Sequence, residues 1–219
     1  MATLLQLRTL VSTIIQDDAF TDDMIDAYLN DGVNEIAAGM QSTLGDSIIP
    51  PLPKLFTIDT VDTDTVDAYV PMPVTFGRDL QFVAGSNGVE IDICNSMIEF
   101  SESYPLMDRD GDVVEVIEYG GNLYYQGIPT VMDELTVHFY RLPVEMSADS
   151  DTPDGIPLSF QKKLLVNFAC KEIFNLIEDG IEGQKINTTK HTNLFLIALR
   201  VFELLAPADS RSLFLWSDE

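Results

Sequence analysis

Apolar residues change their period twice along the chain, and this change restricts the fold more than any other feature. Over residues 4–40 and 160–205 they recur every three or four positions, the spacing of a helix with one buried face. Over residues 55–142 the spacing drops toward two, with many β-branched and aromatic residues, as half-buried strands require. Ile49-Pro50-Pro51-Leu52-Pro53 marks the first change, because consecutive prolines continue neither a helix nor a central strand. Helices, strands and helices again give an α+β chain. Neither helical end can bury its stripe alone, so the two are expected to pair as one bundle around an inserted antiparallel β-module. The expected divisions are 1–45 for the first helices, 46–146 for the insertion, 147–206 for the last helices and 207–219 for an extended C-terminal tail.

Local signals fill in this outline. Thr3 and Gln6 form a capping box ahead of Leu4, Leu7, Val11 and Ile14, with Leu10 and Ile15 widening the stripe. Thr21 is a good N-cap, and Asp22 and Asp23 lie where the helix dipole favours negative charge. Ile25, Leu29, Ile36 and Met40 are the expected buried face of this second helix. Gly32 and Gly39 interrupt it at roughly 1 kcal/mol each, which suggests close packing against another backbone. Seven segments read as strands: FTIDTV, TVDAYVPMP, LQFVA, VEIDI, VVEVIEY, NLYYQG and LTVHFYRL. Turn signals such as Ser86-Asn87-Gly88 and Gly120-Gly121-Asn122 separate several of them, and a short helix is expected over residues 96–103. Pro157 suits a helix start, followed by Phe160, Leu164, Leu165, Phe168, Ala169, Ile173, Leu176 and Ile177, with Gly180 as the stop. Leu194, Ile197, Ala198, Val201 and Leu205 mark the inner face of a last helix before Pro207.

Charge excludes one class of function. Thirty-six acidic residues against twelve basic give a net charge of −24, and no Lys or Arg occurs between Thr9 and Pro53. A protein that grips DNA neutralises phosphates with Lys and Arg, so a duplex clamp or sequence reader is excluded. The excess can serve solubility, or form a surface that nucleic acid passes without sticking. The longest apolar runs fall short of a membrane span, and Arg8 within the first stripe argues for an amphipathic helix and against a signal peptide. The protein is expected to stay in the cytosol where it is made. Cys94 and Cys170 lie in core-like segments and are expected to be reduced, buried thiols, although spacing alone leaves a disulfide open.

Catalytic patterns are missing. Asp108, Asp110 and Asp112 resemble a calcium loop, but such a loop needs Gly at position 6 and Glu at position 12, where this chain has Val113 and Tyr119. Asp149, Asp151 and Asp154 fail the same template, and both clusters read as Asp-Gly turns. GIEGQK has neither the spacing nor the hydroxyl residue of a phosphate loop, and no G-x-S-x-G elbow occurs. His138 falls in an alternating strand, and two histidines give no zinc spacing. No catalytic residue, cofactor or metal site is expected, and a hydrolase built on paired carboxylates is remote. Tyr119, Tyr124, Tyr125, Phe139 and Tyr140 suit cross-strand packing better than a ligand-stacking face. The strongest interaction signal is Leu213, Phe214, Leu215 and Trp216, an apolar run beyond the last helix and flanked by acids, suited to docking in a partner's groove.

Five stretches, in this order, carry a family resemblance: FTDDMIDAYLNDGVNEIA, GGNLYYQGIP, LTVHFYRLP, DTPDGIP and LLVNFACKEIFNLIEDGIEG. With them the chain resembles the head–tail adaptor (connector) proteins of tailed bacteriophages over nearly its whole length. The resemblance implies a non-enzymatic virion component at the capsid vertex, made in the host cytoplasm. It implies a homo-oligomeric ring, typically of twelve copies, beneath the portal protein. Such a ring extends the DNA channel, carries tail or nozzle proteins, and lets packaged DNA pass without sequence-specific binding. C-terminal segments in this family commonly grip the portal, which makes residues 213–216 the expected portal contact. The competing reading is a virion-associated carbohydrate- or receptor-binding β-module.

Overall fold

A computed structural model describes residues 2–39, 51–107, 109–179 and 185–205. The chain divides into two compact units, one of Met1–Leu55 with Pro143–Glu219 and the other Phe56–Leu142. The fold is α+β, with helices in the first unit and two sheets with one short helix in the second.

In the first unit, helix α1 spans Leu4–Ile15 and α2 spans Asp22–Ala38. Both starts are capped as their sequences dictate: the Thr3 hydroxyl accepts from the Gln6 N–H and the Thr21 hydroxyl from the Met24 N–H. Helix α1 buries Leu4, Leu7, Val11 and Ile15, while Leu10 and Ile14, expected inside, face outward. Helix α2 buries Ile25, Leu29, Val33 and Ile36. Gly39 is not inside α2 but caps it, at φ 71°. Glycine adopts this left-handed conformation without a Cβ penalty. Met40 and Gly180 lie outside the described residues.

The expected long helix after Pro157 consists of three pieces: α4 at Leu158–Gln161, a π-helical turn at Lys162–Val166 and α5 at Asn167–Glu178. Its buried residues recur every four positions, as Gln161, Leu165, Ala169 and Ile173 do. An unbroken helix of about 3.6 residues per turn would carry such a series steadily round its axis. The wider π turn takes up the extra residue and keeps the series on one face. Leu176, expected inside, is 53 % exposed. Helix α6 spans Ile186–Leu205, and of the described side chains expected on its inner face only Ala198 is buried. Phe195, Ala198, Leu199 and Phe202 are buried, whereas Leu194, Ile197 and Val201 are exposed. The reason is packing, because aromatic rings meet edge to face across the helices. Phe160 lies 5.3 Å from Phe202 and Phe168 lies 5.5 Å from Phe195, between ring centroids.

In the second unit, seven strands among the described residues form two sheets. Strands β1 (Phe56–Asp62), β7 (Glu134–Arg141) and β3 (Phe76–Ala84) lie in the order β1-β7-β3. Strands β2 (Tyr69–Pro71), β6 (Asn122–Tyr125), β5 (Glu115–Tyr119) and β4 (Asp92–Ile93) lie in the order β2-β6-β5-β4. All these strand pairings are antiparallel except β4 with β5, which is parallel and departs from the fully antiparallel expectation. Leu135, Val137 and Phe139 of β7 meet Val83, Val116, Leu123 and Tyr125 in one core fed by both sheets. Full burial contributes roughly 1.5–3 kcal/mol for each such side chain. Helix α3, Met97–Ser103, is capped by the Ser96 hydroxyl.

Candidate functional site

Asp110 and Asp112, which resembled part of a calcium loop, lie on the segment that leads from α3 into β5, and a hairpin follows. Gly120 and Gly121, at φ 62° and φ 82°, make the two-residue turn between β5 and β6. Positive φ at both central residues favours glycine at both. The Gln126 side chain ties the incoming segment to this hairpin: its Oε1 accepts from the Val114 and Glu115 N–H groups, and its Nε2 donates to the Asp112 carbonyl. At Gly127 a Cβ would stand 2.6 Å from the Arg109 carbonyl oxygen. Only glycine permits this approach. Asp108 lies outside the described residues.

The second aspartate cluster also serves the backbone. Asp151 Oδ2 accepts from the Ser147 N–H at 2.9 Å and from the Ala148 N–H at 2.8 Å. These bonds, the one from Ala148 foremost, favour the charged carboxylate and hold its pKa below the ordinary range. Asp154 Oδ2 accepts from the Val144 N–H at 3.0 Å. Asp149 instead faces the Arg8 guanidinium at 3.1 Å. Among the described residues, no three His, Cys, Asp or Glu side chains converge as a metal-binding group.

Arg8 is the cation around which the first unit is tied. Its guanidinium makes a two-pronged contact with Asp26, with Nε at 2.7 Å from Oδ1, and also meets Asp22 at 3.5 Å. These carboxylates push the Arg8 pKa further above its ordinary value, with the Asp26 hydrogen bond the largest cause. Arg8 thus joins α1 to α2 and to the segment before α4, and uses up one of the few positive charges near the acidic helices.

The histidines and thiols are structural. His138 lies between Phe56 and Phe82 at 5.8 and 4.8 Å. Burial lowers its pKa. His191 stacks on Phe174 at 5.5 Å, and its Nδ1 lies 2.9 Å from Asn167 Oδ1. The Asn167 Nδ2 donates to the Lys163 carbonyl, which turns its oxygen to the ring and makes His191 Nδ1 the donor. Burial, and then Lys190, lower the His191 pKa. Both thiols are free, but Cys94, expected to be buried, is only partly so; burial raises the Cys170 pKa to about 12, so it stays protonated.

The five aromatics do not share a face. Tyr125 and Phe139 are fully buried, Tyr140 is nearly so and Tyr119 is exposed. Tyr124 pairs with Tyr69 at 5.4 Å on the other side of β6 from Tyr125. The Tyr125 hydroxyl donates to the Asp67 carbonyl and accepts from the Asp64 N–H, so it anchors a loop and not a ligand. A cleft of about 750 Å³ in the second unit is lined by Glu90, Asp92, Asp112 and Asp133 and by no Lys or Arg.

Two exposed features of the first unit suit macromolecular contact. Helix α6 presents Leu194, Ile197, Val201 and Leu204 at 42, 63, 43 and 78 % exposure. Leu10, Ile14 and Met24 are exposed as well, and so are Asp17, Asp18, Asp22 and Asp23. Periodicity missed the first of these, because α6 carries apolar residues on two faces and spacing cannot say which is covered. The expected portal contact, Leu213, Phe214, Leu215 and Trp216, lies outside the described residues. No helix of the described residues is long and apolar enough to cross a membrane.

No curated protein matches the chain. The family described as SU10 adaptor protein matches residues 2–212, which is nearly the entire chain. The resemblance noted in the five sequence stretches thus extends from α1 to beyond α6, and the chain belongs to the SU10 adaptor proteins, a family of phage head–tail adaptors.

Proposed function

We propose that the protein is a structural ring component that joins the portal to the tail, extends the DNA channel and provides the seat for tail or nozzle proteins. The observation that carries this reading is the family match over residues 2–212. The chain's own chemistry supports it: Asp151 and Asp154 cap backbone N–H groups, and both histidines are packed against aromatic rings. In this reading the N- and C-terminal helices act as one bundle and the β-unit is its insertion. Twelve copies form the ring, and it resides at the capsid vertex of the virion.

Two parts of the reading concern particular residues. Leu213, Phe214, Leu215 and Trp216 extend from the bundle and dock on the portal, since an apolar run ending in the only tryptophan is suited to a groove. The acidic helices, free of Lys and Arg from Thr9 to Pro53, contribute to an electronegative lumen past which DNA slides. The test is to mix the purified protein with portal rings and image the product. A ring of new density beneath the portal is expected, and it is lost when residues 213–216 are deleted. Portal rings that gain no such density overturn the adaptor reading. Density that survives the deletion overturns only the role of the tail.

A further inference from the structure

The exposed side chains of α6 follow a coiled-coil repeat. Leu194, Ile197, Val201 and Leu204 are spaced three, four and three residues apart, the a/d pattern of a helix that receives another helix. Its opposite side, with Phe195, Ala198, Leu199 and Phe202, is already filled by the unit's own core. A helix apolar on both faces is stable in water only when both are covered. The basic residues beside this seam are Lys190 and Arg200, both exposed, with the half-buried Glu203 the one acid on α6.

A fitting surface exists on the same chain. Leu10 and Ile14 lie one turn apart on α1, exposed at 37 and 40 %, with Met24 of α2 exposed at 40 %. Asp17 and Asp18 follow Ile14 within four residues and Asp23 adjoins Met24, all exposed, and no Lys or Arg follows Arg8 before Lys54. Arg8 is itself engaged by Asp26, Asp149 and Asp22. One patch is thus apolar with basic edges and the other apolar with acidic edges. Pairing α6 with α6 would instead bring the basic residues of two copies to one seam.

The geometry points to a head-to-tail contact between copies, in which the α6 seam of one chain receives the Leu10–Ile14 face of α1 and the acidic start of α2 from the next. Because the two patches differ, a bound pair keeps one patch of each kind free, and the contact propagates until it closes on itself or forms a filament. This inference rests on the adaptor reading only for the closure into a ring, and supplies the surface by which such a ring would hold together. The occupant is a second copy because opposite charges that steer and register an interface are present on the two patches of this chain.

The test is a disulfide trap with the purified full-length protein, in a background with Cys94→Ser. One chain carries Ile14→Cys and a mass tag, and the other carries Ile197→Cys. Both positions are exposed, and unchanged thermal unfolding of each variant verifies the fold. On mild oxidation of the mixture, the mixed-mass dimer is expected to dominate over both homodimers. Trapping accumulates even a transient contact, so no portal is needed. Adding Arg200→Glu to the second chain should lower the yield about tenfold, as like charges then meet. Homodimers of Ile197→Cys alone would overturn the head-to-tail arrangement in favour of α6 self-pairing. Efficient closure within one chain of an Ile197→Cys, Leu213→Cys variant would overturn it in favour of the chain's own C-terminal segment. No cross-link overturns the second copy as occupant. A trapped pair with no ring beneath the portal overturns the adaptor reading and leaves the contact. A ring on the portal without the pair does the reverse.

Discussion

Asn30 shows how one polar side chain can hold two distant segments. It is buried, its Nδ2 donates to the Met146 carbonyl and its Oδ1 accepts from the Met146 N–H, both at 3.0 Å. The side chain thus meets a backbone segment as a neighbouring strand would. Removing it strands a buried donor and a buried acceptor at once, and each unsatisfied group costs about 1–3 kcal/mol. Asn30→Ala is therefore expected to lower stability by about 3 kcal/mol, seen as a reduced urea midpoint with an unchanged slope. Nothing in the sequence distinguished this asparagine from the others, because its partner is far along the chain and is backbone. The caps at Thr3 and Thr21 were legible for the opposite reason: donor and acceptor lie three residues apart.

Helix α2 is fitted to α5 through a glycine. A Cβ on Gly32 would come within 2.9 Å of the Phe168 ring and 3.3 Å of Leu165. Alanine would gain roughly 1 kcal/mol in helix propensity, but a ring already packed on Phe195 has nowhere to move, and overpacking costs about 1–3 kcal/mol. Gly32→Ala should lower the unfolding free energy by about 1 kcal/mol, and Phe168→Leu in the same chain should turn that loss toward a gain. Additive effects of the two substitutions would show that the contact does not govern the helix spacing. A close approach was legible at Gly32, where a glycine in a helix interior needs a reason, but its partners are the Phe168 and Leu165 side chains and not the backbone expected. It was misleading at Gly39, where the same residue type ends the helix. Strand positions were legible from alternation, whereas the parallel β4–β5 pair was not, since pairing partners leave no local mark. On α6 two apolar stripes compete, and only the aromatic contacts with Phe160 and Phe168 decide which faces inward.

A net charge of −24 on 219 residues means that the folded chain works against its own repulsion. Screening shortens the reach of that repulsion from about 30 Å at 0.01 M salt to about 8 Å at 0.15 M. The melting temperature is accordingly expected to rise between those two salt concentrations in a calorimetric scan, and a flat or falling trend would show that local ion pairs such as Arg8–Asp26 outweigh the long-range term. The second unit enters at Phe56 and leaves just after Arg141, and the first strand pairs with the last so that Phe56 stands opposite Tyr140. Neighbouring strands are about 4.8 Å apart, so the two ends of this long excursion lie almost together. A segment with adjoining ends can be lost, exchanged or enlarged in one genetic event, with a short turn left to close the gap. The family match nonetheless runs through the β-unit as well as the helices, so both parts belong to this adaptor.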